Sequence, residues 1–338
     1  MICPRLKDLP APPEGKTGWP WTEESLRLPE QSLEVSACGR ITIVTPSFNQ
    51  APYIEETIRS ILLQGYPDIE YFILDAGSTD NTVEIIRKYS RWIDFWVSEA
   101  DGGQSAAINR GLRMGSGLYA TWINSDDMLC KNALVNNYLA NKTPAGDVVY
   151  VGDCVQIDEA GKVLNTHRGR VQSFEDLVRV RTVWYSGGAL TQPEVLFPLE
   201  LALRVGGLDE QNHYSMDYEL WGKFFLAGAT VRYTGIPFAL FRWHHGQKTQ
   251  EKKIQVESTL DTARALISRA DFLSAEARHE ILAHLDLYRE EYPLKYWKQS
   301  GRLARIGLPP SVVIPTRKFK FAIEKTIGSL VRYARGSR

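Results

Sequence analysis

The sequence predicts an α/β fold in which a mostly parallel sheet carries helices on both faces, with a helical extension at the C-terminus. The main observation is an alternation that begins at Arg40, where short runs of β-branched and aromatic residues are followed by segments with helical spacing. Strands and helices that alternate in this way form parallel βαβ units. The second observation is that the pattern is helical from about Lys252 through Gln299, and again after Pro315.

The bulk composition is that of an ordinary globular protein. The chain has 338 residues, which suggests one large domain or a domain with an appendage. Hydrophobic residues make up 43% and charged residues 24%, so a sizeable core can form. With 40 basic and 40 acidic residues the formal net charge is zero, and we expect no nucleic-acid partner. The four cysteines form no CxxC pair, so neither a zinc site nor a disulfide scaffold is predicted.

The two ends of the chain bear on its location. The N-terminus lacks the basic-then-apolar pattern of a signal peptide, and no apolar run approaches the roughly 20 residues of a membrane helix. We therefore expect a cytoplasmic protein. Between Ser311 and Arg338, seven basic residues stand against one acid, with apolar side chains interleaved. This basic C-terminus either makes a peripheral contact with anionic lipid at the inner membrane face or packs on the main domain, and both interpretations stay open.

The first part of the chain divides into an arm and half of the main domain. Residues 1–38 are interpreted as an irregular N-terminal arm that docks through Trp19 and Trp21. In the first half of the main domain, 39–130, the predicted helices cover 53–63, 79–89 and 104–114. The predicted strands of this half cover 41–45, 70–75, 95–98 and 118–123. Pro46 is expected to end the first of these strands.

The second half of the main domain, 131–250, has a less regular pattern. Helices are predicted at 132–140 and 217–227, with strands at 147–151 and 230–234. Segments 154–158 and 163–166 are predicted to pair as a hairpin. Between 173 and 205 we expect a helix, a loop with Gly187 and Gly188, and another helix. Residues 251–338 form the helical C-terminal extension.

Polar residues follow the predicted strands at their carboxyl ends, where open α/β sheets bind ligands. They are Ser47, Asn49, Asp75, Asp101, Asp126 and Asp127. Adjacent carboxylates such as Asp126 and Asp127 repel each other unless a cation lies between them, and a divalent ion with oxygen ligands usually fills that role. The alternative is that this segment only caps a helix, since Ser and Asp favour such positions.

The other polar positions also allow two interpretations each. Asp75 can accept from a nucleobase N–H or from its own turn. The segment 98–109 joins two glycines to a helix start, which suits an anion but also suits plain capping. Asp217 either caps a helix or deprotonates a sugar hydroxyl. His244 and Lys248 either contact a metal or a diphosphate, or belong to a surface turn.

Three motifs in order carry a resemblance to a known family. They are Ile-Thr-Ile-Val-Thr-Pro-Ser-Phe-Asn at 41–49, Ile-Leu-Asp-Ala-Gly-Ser-Thr-Asp-Asn-Thr at 73–82, and Trp-Ile-Asn-Ser-Asp-Asp at 122–127. Together they resemble the family 2 glycosyltransferases, which are inverting enzymes with the GT-A fold, a Rossmann-like nucleotide-diphospho-sugar transferase fold. The resemblance runs from about Arg40 to Thr249. Within it, Ser-Glu-Ala-Asp-Gly-Gly-Gln at 98–104 is similar to members that assemble bacterial surface polysaccharides.

The resemblance implies a nucleotide-binding half at 39–130 and an acceptor half at 131–250, with Asp217 as the catalytic base. It implies that Asp75 recognises the base and that Asn124, Ser125 and Asp126 match the DXD-type motif. Asp126, Asp127 and His244 are then expected to hold Mn²⁺ or Mg²⁺. The full set of expected donor-binding residues is Thr45, Pro46, Ser47, Asn49, Asp75, Asp101, Gln104, Asn109, Asn124, Ser125 and Lys248.

Two departures from the family pattern bear on these expectations. Asn124 occupies the first DXD position, so ligation is expected to rest on Asp126 and Asp127. Many relatives have a second acid where this chain has Ala76, which leaves Asp75 as the sole base-recognising acid. The expected activity is transfer of a sugar from a nucleotide-diphospho-sugar to a hydroxyl of a glycan or lipid-linked acceptor by a metal-assisted single displacement.

Two other functions stay open at this point. One is a non-catalytic protein that binds nucleotide sugars. The other is a nucleotidyltransferase, which would be expected to carry a basic Gly-rich loop where this chain has Pro-Ser-Phe-Asn-Gln at 46–50.

Overall fold

A computed structural model of the chain describes residues 3–28, 39–140, 146–247 and 251–299. The chain divides into two compact units, Met1–Asp286 and Leu287–Arg338, and the first unit holds the whole sheet. Lys248 and the basic C-terminus lie outside the described residues. Among the helices that the structure describes, none is both long enough and apolar enough to cross a membrane.

Within the described residues, nine strands form one sheet, in the order β3-β2-β1-β4-β8-β6-β9-β5, with β7 paired to β6. The strands are β1 (Ile41–Ser47), β2 (Ile69–Asp75), β3 (Phe95–Ser98), β4 (Tyr119–Trp122), β5 (Met128–Leu129), β6 (Val148–Ile157), β7 (Val163–His167), β8 (Val195–Pro198) and β9 (Thr230–Arg242). The first four strands in the order are parallel neighbours, as predicted. Beyond β4 the pairing is mixed, because β8 runs antiparallel to both β4 and β6.

The helices follow the predicted alternation and continue after the sheet. They are α1 (Ile54–Leu62), α2 (Thr82–Tyr89), α3 (Gln104–Met114), α4 (Ala133–Ala140), α5 (Phe174–Val178), α6 (Leu199–Arg204), α7 (Met216–Leu226), α8 (Lys252–Ser268) and α9 (Ala275–Gln299). Helix α8 packs on α7, where Gly222 leaves room for Leu266: a Cβ at Gly222 would come within 2.3 Å of the Leu266 side chain.

Alternate residues of β1 explain why helices cover both faces of the sheet. Ile41 and Ile43 share a buried cluster with apolar residues of α1 and α2. Val44, which points to the other face, contacts α3 at Gly111, where a Cβ would lie only 2.6 Å from the Val44 side chain. Sheet and helix therefore approach closely on the α3 side, and only glycine fits at position 111.

The prediction that Pro46 ends the first strand is wrong, since β1 continues to Ser47. Val44 O accepts from Ile123 N, whereas Ser47 O accepts from Ala76 N. Even-numbered residues therefore direct their backbone groups toward β4, and odd-numbered ones toward β2. Pairing with β4 stops at Val44, so the missing N–H of Pro46 faces a position without a ladder bond.

The second half of the main domain, 131–250, differs more from its prediction. Strand β6 is continuous, with register shifts around Asp153, where two separate strands were expected. Strand β8 was not predicted, and it lies fully buried between β4 and β6. Strand β9 does not stop at Thr234 but continues to Arg242, despite Gly235 and Pro237. This extra length brings the segment around Arg242 to the end of β4.

The N-terminal arm docks on the sheet unit as predicted. Trp21 is buried, and Trp19 Nε1 donates to Leu129 O at 2.9 Å. The arm is therefore a fixed part of the first compact unit over residues 3–28.

Candidate active site

The acidic loop, Asn124 to Asp127, follows β4 and rests on α1. Thr57 of α1 is fully buried, and its hydroxyl donates to Ser125 O at 3.0 Å and to Asp127 O at 2.6 Å. Hydrogen bonds to backbone carbonyls fix the path of the loop without involving its side chains. The two carboxylates are therefore delivered at a defined place at the carboxyl end of β4.

Asp126 and His244 form the most direct side-chain contact of the site. Asp126 Oδ2 accepts from His244 Nε2 at 2.9 Å, and the two side chains are 15% and 8% exposed. Gly246 N donates to His244 Nδ1 at 3.3 Å, which places the proton of the neutral imidazole on Nε2, toward Asp126. The Tyr53 ring lies 4.8 Å from the imidazole. A carboxylate and an imidazole at a sheet edge are suitable ligands for a divalent transition metal.

Asp127 has a different environment from its neighbour. Its side chain is buried, with Oδ1 accepting from Arg242 N at 2.9 Å, while Asn124 Nδ2 lies 3.5 Å from Oδ2. Burial and the adjacent Asp126 carboxylate raise the pKa of Asp127 well above its ordinary value. Asp127 is thus a buried acid whose negative charge is poorly compensated by the protein.

The expected ligand set is only partly assembled. Asp126 and His244 meet, but Asp127 is engaged with Arg242. Within the described part of the chain, no three His, Cys, Asp or Glu side chains come together as a preformed metal site. Asp126 and His244 are therefore the pair that is directly in contact, and the expectation that Asp127 shares an ion with them stays a prediction.

Arg242 is a buried part of the site. Its side chain is 2% exposed, its Nε donates to Asp126 O at 3.1 Å, and its Nη2 donates to Glu56 Oε2 at 2.5 Å. Its guanidinium carbon lies 5.1 Å from the Tyr53 ring centre. Glu56 was not singled out from the sequence, and its helical position in α1 gives no local signal of a partner so distant in the chain.

Asn124 is held by two glutamines. Gln104 Nε2 donates to Asn124 Oδ1 at 2.9 Å, and Asn124 Nδ2 donates to Gln192 Oε1 at 3.1 Å. Gln192 Nε2 donates in turn to Trp122 O at 2.6 Å, which fixes the orientation of its amide. Gln192 was missed by sequence reasoning, because it lies in the loop before the unpredicted strand β8. These contacts link the start of α3 to the acidic loop through neutral groups.

Asp75 ends β2 in a buried position. Its carboxylate accepts from Ser78 N at 2.9 Å, from Ser78 Oγ at 2.5 Å and from Ser98 Oγ at 2.6 Å. These are the local turn contacts that were the alternative to nucleobase recognition for Asp75. Asp75 also borders a cleft of about 280 Å³ that Asp101 and Arg110 line, so it contributes to a concave surface between β2 and α3.

The loop after β1 is tied to the loop after β2. Asn49, at φ 52°, donates its N–H to Ser78 Oγ at 2.7 Å and accepts from Thr79 N at 2.9 Å. Ser47 Oγ is buried and has no hydrogen-bond partner among the described residues. Thr45 is fully buried and accepts from Tyr71 OH at 3.2 Å. The end of β1 is therefore packed into the protein at both positions.

Two further expected donor-binding residues serve the protein's own structure. Asn109 is buried in α3, where its amide donates to Leu208 O and accepts from Leu208 N, both at 2.9 Å. Asp101 is exposed and accepts from Gly103 N at 2.7 Å. Pro46 and Ser125 are buried beside the residues described above. Asn109 therefore fastens α3 to the following loop, while Asp101 remains on the cleft surface.

Asp217 lies in the first turn of α7. Removal from water raises its pKa from 3.8 to about 6, although the Tyr218 N–H donates to Oδ1 at 2.8 Å. The start of α7 adjoins the start of α3, since Ser105 Oγ contacts Met216 Sδ at 2.9 Å. Glu219 is paired with Lys223 at 3.0 Å and with Asn212 at 2.8 Å. A carboxylate with a pKa near 6 can accept a proton from a substrate hydroxyl at neutral pH.

Part of the chain is similar in sequence to known glycosyltransferases. Residues 42–187 match the sequence model of "Glycosyl transferase family 2". An uncharacterized glycosyltransferase of Rickettsia typhi is 28% identical over 218 residues, which cover 64% of this chain and 68% of that protein. The Bacillus subtilis glycosyltransferase TuaG, named for teichuronic acid biosynthesis, is 36% identical over 98 residues, covering 28% of this chain and 38% of TuaG.

Solved structures agree on the fold. TarS 1–349 of S. aureus, in complex with UDP-GlcNAc, superposes with a TM-score of 0.56 at 17% identity, over 75% of this chain and 73% of that one. The mannosyltransferase PcManGT of Pyrobaculum calidifontis, in complex with GDP-Man and Mn²⁺, gives 0.51 at 18% identity, over 92% and 85%. At this identity the likeness establishes the GT-A-like fold alone. The sequence matches identify the chain as a glycosyltransferase, and its residues 42–187 resemble glycosyl transferase family 2.

Proposed function

We propose that the chain moves a sugar from a nucleotide-diphospho-sugar to an acceptor hydroxyl with inversion, in one displacement at the anomeric carbon. The observation that carries this proposal is the contact of Asp126 with His244, 118 positions apart, at 2.9 Å beside the buried Asp127. A protein that only binds sugars has no need of a poorly compensated acidic pair at the end of β4. The nucleotide sugars in TarS and PcManGT support a donor of this class.

Asp126 and His244 would hold Mn²⁺ or Mg²⁺. Such ions commonly take one or two protein ligands and complete their coordination with phosphate oxygens and water. The imidazole favours a transition metal, and PcManGT was solved with Mn²⁺. The ion would supply neutralising charge for the leaving nucleoside diphosphate.

Asp217 would take the proton of the attacking hydroxyl. Burial raises its pKa to about 6, so at neutral pH it is ionised and still basic enough to accept a proton. Around the donor, the expected contacts are the hydroxyl of Ser47, the amides of Gln104 and Asn124, and Asp101 on the cleft. Asp75 would contribute to donor binding indirectly, by holding the turn at Ser78 in place.

The proposed acceptor and setting are supported by the name of one relative. TuaG is named for teichuronic acid biosynthesis, a cell-envelope polymer. We therefore place this chain in the synthesis of a bacterial surface polysaccharide or glycolipid, acting on a glycan or a lipid-linked acceptor at the cytoplasmic face of the membrane. Lys248 and the basic C-terminus keep their proposed roles at the diphosphate and at anionic lipid.

The decisive experiment compares Asp217→Asn with Glu219→Gln. Transfer is measured with a panel of UDP-, GDP- and dTDP-sugars and Mn²⁺, and nucleotide binding is measured separately by calorimetry. We expect Asp217→Asn to lose roughly 10²–10⁴-fold in kcat with nucleotide binding retained. Glu219→Gln, in the same turn but paired with Lys223, should stay close to wild type. An equal loss of nucleotide affinity in Asp217→Asn would make Asp217 a binding residue instead.

The pH profile gives a second test of the base. Protonation of Asp217 removes the base, so kcat should fall as the pH drops through about 6. Asp217→Asn should lack this limb of the profile. Excess chelator should remove activity and added Mn²⁺ should restore it, and full turnover in chelator would overturn the role of the ion.

A further inference from the structure

Glu56 connects the N-terminal arm to the acidic loop. Its Oε1 accepts from Lys16 Nζ at 2.9 Å and from Trp21 Nε1 at 3.1 Å, both in the arm. Its Oε2 accepts from Arg242 Nη2 at 2.5 Å. One oxygen of the Glu56 carboxylate therefore contacts the arm, and the other contacts the end of β9.

The arm end of this connection is firmly held. Arg59, one turn after Glu56 on α1, is fully buried and donates to the carbonyls of Pro10, Pro20 and Trp21 at 2.9–3.1 Å. Its guanidinium carbon lies 5.1 Å from the Trp21 ring centre, and Trp21 is only 5% exposed. The indole N–H thus reaches Glu56 from a fixed position.

The other end contacts both acids of the site. Arg242 donates its backbone N–H to Asp127 Oδ1 at 2.9 Å and its Nε to Asp126 O at 3.1 Å. At 2% exposure its guanidinium needs a counter-charge, and Glu56 provides one in a direct ion pair. The position of the Arg242 side chain, and with it the geometry of the loop, therefore depends on the Glu56 carboxylate.

We propose that Lys16, Trp21, Glu56 and Arg242 form a positioning relay through which the N-terminal arm sets the geometry of Asp126 and Asp127. The proposal rests on the proposed function, since that geometry matters for an ion at Asp126 and His244. The arm lies outside residues 42–187 that match the family's sequence model. The arm thus supports the site from outside the segment that the family model matches, and its residues are positioning residues.

The test uses the full chain with Lys16→Met/Trp21→Phe. This double variant keeps an aromatic ring over Arg59 but removes both arm donors to Glu56. The matched control is Glu23→Gln, which breaks another ion pair between arm and body, Glu23 with Lys131 at 2.8 Å, without touching Glu56. Glu56→Gln removes the counter-charge itself. The two readouts are hydrogen exchange in peptides spanning 122–130 and 238–244, and the Mn²⁺ dissociation constant from free-ion EPR with UDP or GDP present.

We expect faster exchange in both peptides for the double variant, and an Mn²⁺ dissociation constant raised about 10-fold for Glu56→Gln and less for the double variant, as for other outer partners of metal ligands. Glu23→Gln should match wild type in both readouts. Unchanged exchange in the double variant and in Glu56→Gln would overturn the relay, whether or not Mn²⁺ binds. Altered exchange with no Mn²⁺ binding to the wild type would instead count against the proposed role of the ion and leave the relay standing.

Discussion

The two strands that flank β1 both lead into acids at their carboxyl ends, and the surroundings of these acids differ. At the end of β2, neutral donors surround Asp75: the amide and hydroxyl of Ser78 and the hydroxyl of Ser98. After β4, Asp126 adjoins a second carboxylate, Asp127, and its side chain meets the imidazole of His244. Only the second arrangement leaves negative charge that the protein does not compensate.

The two strand ends differ in what stabilises the negative charge of their carboxylates. A carboxylate that accepts several hydrogen bonds is stabilised in its charged form without a counter-ion. At the end of β4, the nearest guanidinium, Arg242, is already paired with Glu56. Burial first, and the adjacent Asp126 carboxylate second, raise the pKa of Asp127. The protein's own hydrogen bonds thus stabilise Asp75 at the end of β2. The proposed cation would stabilise the acids that follow β4.

The largest effect expected from this comparison is that of Asp126→Asn. An amide still accepts from His244 but binds a divalent cation poorly, so kcat/KM should fall about a hundredfold or more, as when a charge-stabilising group is lost. Asp75→Asn, the matched change at β2, should act mainly on donor KM. Initial rates at varied donor and Mn²⁺ concentrations separate the two. Equal losses in the two variants, with the same dependence on Mn²⁺, would remove the distinction between the strand ends.

Asn124→Asp is expected to have the next largest effect. The Gln192 amide is fixed by Trp122 O, so an acid at position 124 would place an oxygen against Gln192 Oε1 and a third charge beside Asp127. An unsatisfied buried acceptor costs about 1–3 kcal/mol, so we expect kcat/KM to fall by roughly tenfold or more. Asn124→Ala, which adds no charge, should lose less. Higher activity or tighter Mn²⁺ binding in Asn124→Asp would mean that the restored acid acts as a ligand.

The parallel part of this fold could be predicted because its signals are local. Strands β1 to β4 and helix α3 each carry their own periodicity, and the polar residues that follow them are adjacent in sequence. The second half could not be predicted to the same depth. Strand β8 is four residues long and is stabilised by β4 and β6, while Gly235 and Pro237 in β9 resemble strand breakers. Long-range pairing overrides these local signals.

The same physics limited prediction of the site. The motif order and its resemblance pointed to Asp126 and His244, and the structure brings them together. Nothing local pointed to Gln192 or Glu56, whose partners lie 68 and 186 positions away in the chain. The orientation of the Asp127 side chain could not be predicted either, since adjacent acids in a loop can face different surroundings. Residues that support a site from a distance are therefore found only after the fold is known.

A smaller effect is expected on stability from Asp127→Asn. The pKa of Asp127 is raised above 3.8 in the folded state, so the folded protein binds that proton more tightly than the unfolded chain does. Its ionisation therefore lowers stability as the pH rises from about 4 toward the raised pKa. The variant should therefore have a higher Tm than wild type at neutral pH and nearly the same Tm at pH 4.

Thermal unfolding in chelator between pH 4 and 8 measures this gain. Asp75→Asn is again the contrast, since its carboxylate is well satisfied and its loss should lower Tm throughout. A difference between wild type and Asp127→Asn that does not change with pH would show that the carboxyl is compensated after all.

The smallest effect should come from Ser98→Ala at the end of β2. Asp75 would lose one of its hydroxyl donors and keep both contacts from Ser78, so the turn should persist. One net hydrogen bond is worth about 1 kcal/mol, which predicts roughly a fivefold rise in the donor dissociation constant with kcat unchanged. Ser78→Ala should do more, because Ser78 Oγ also accepts from Asn49 N. Calorimetry with UDP and GDP measures the dissociation constants of the two variants. A larger loss of affinity in Ser98→Ala than in Ser78→Ala would mean that the Ser98 hydroxyl contacts the donor directly.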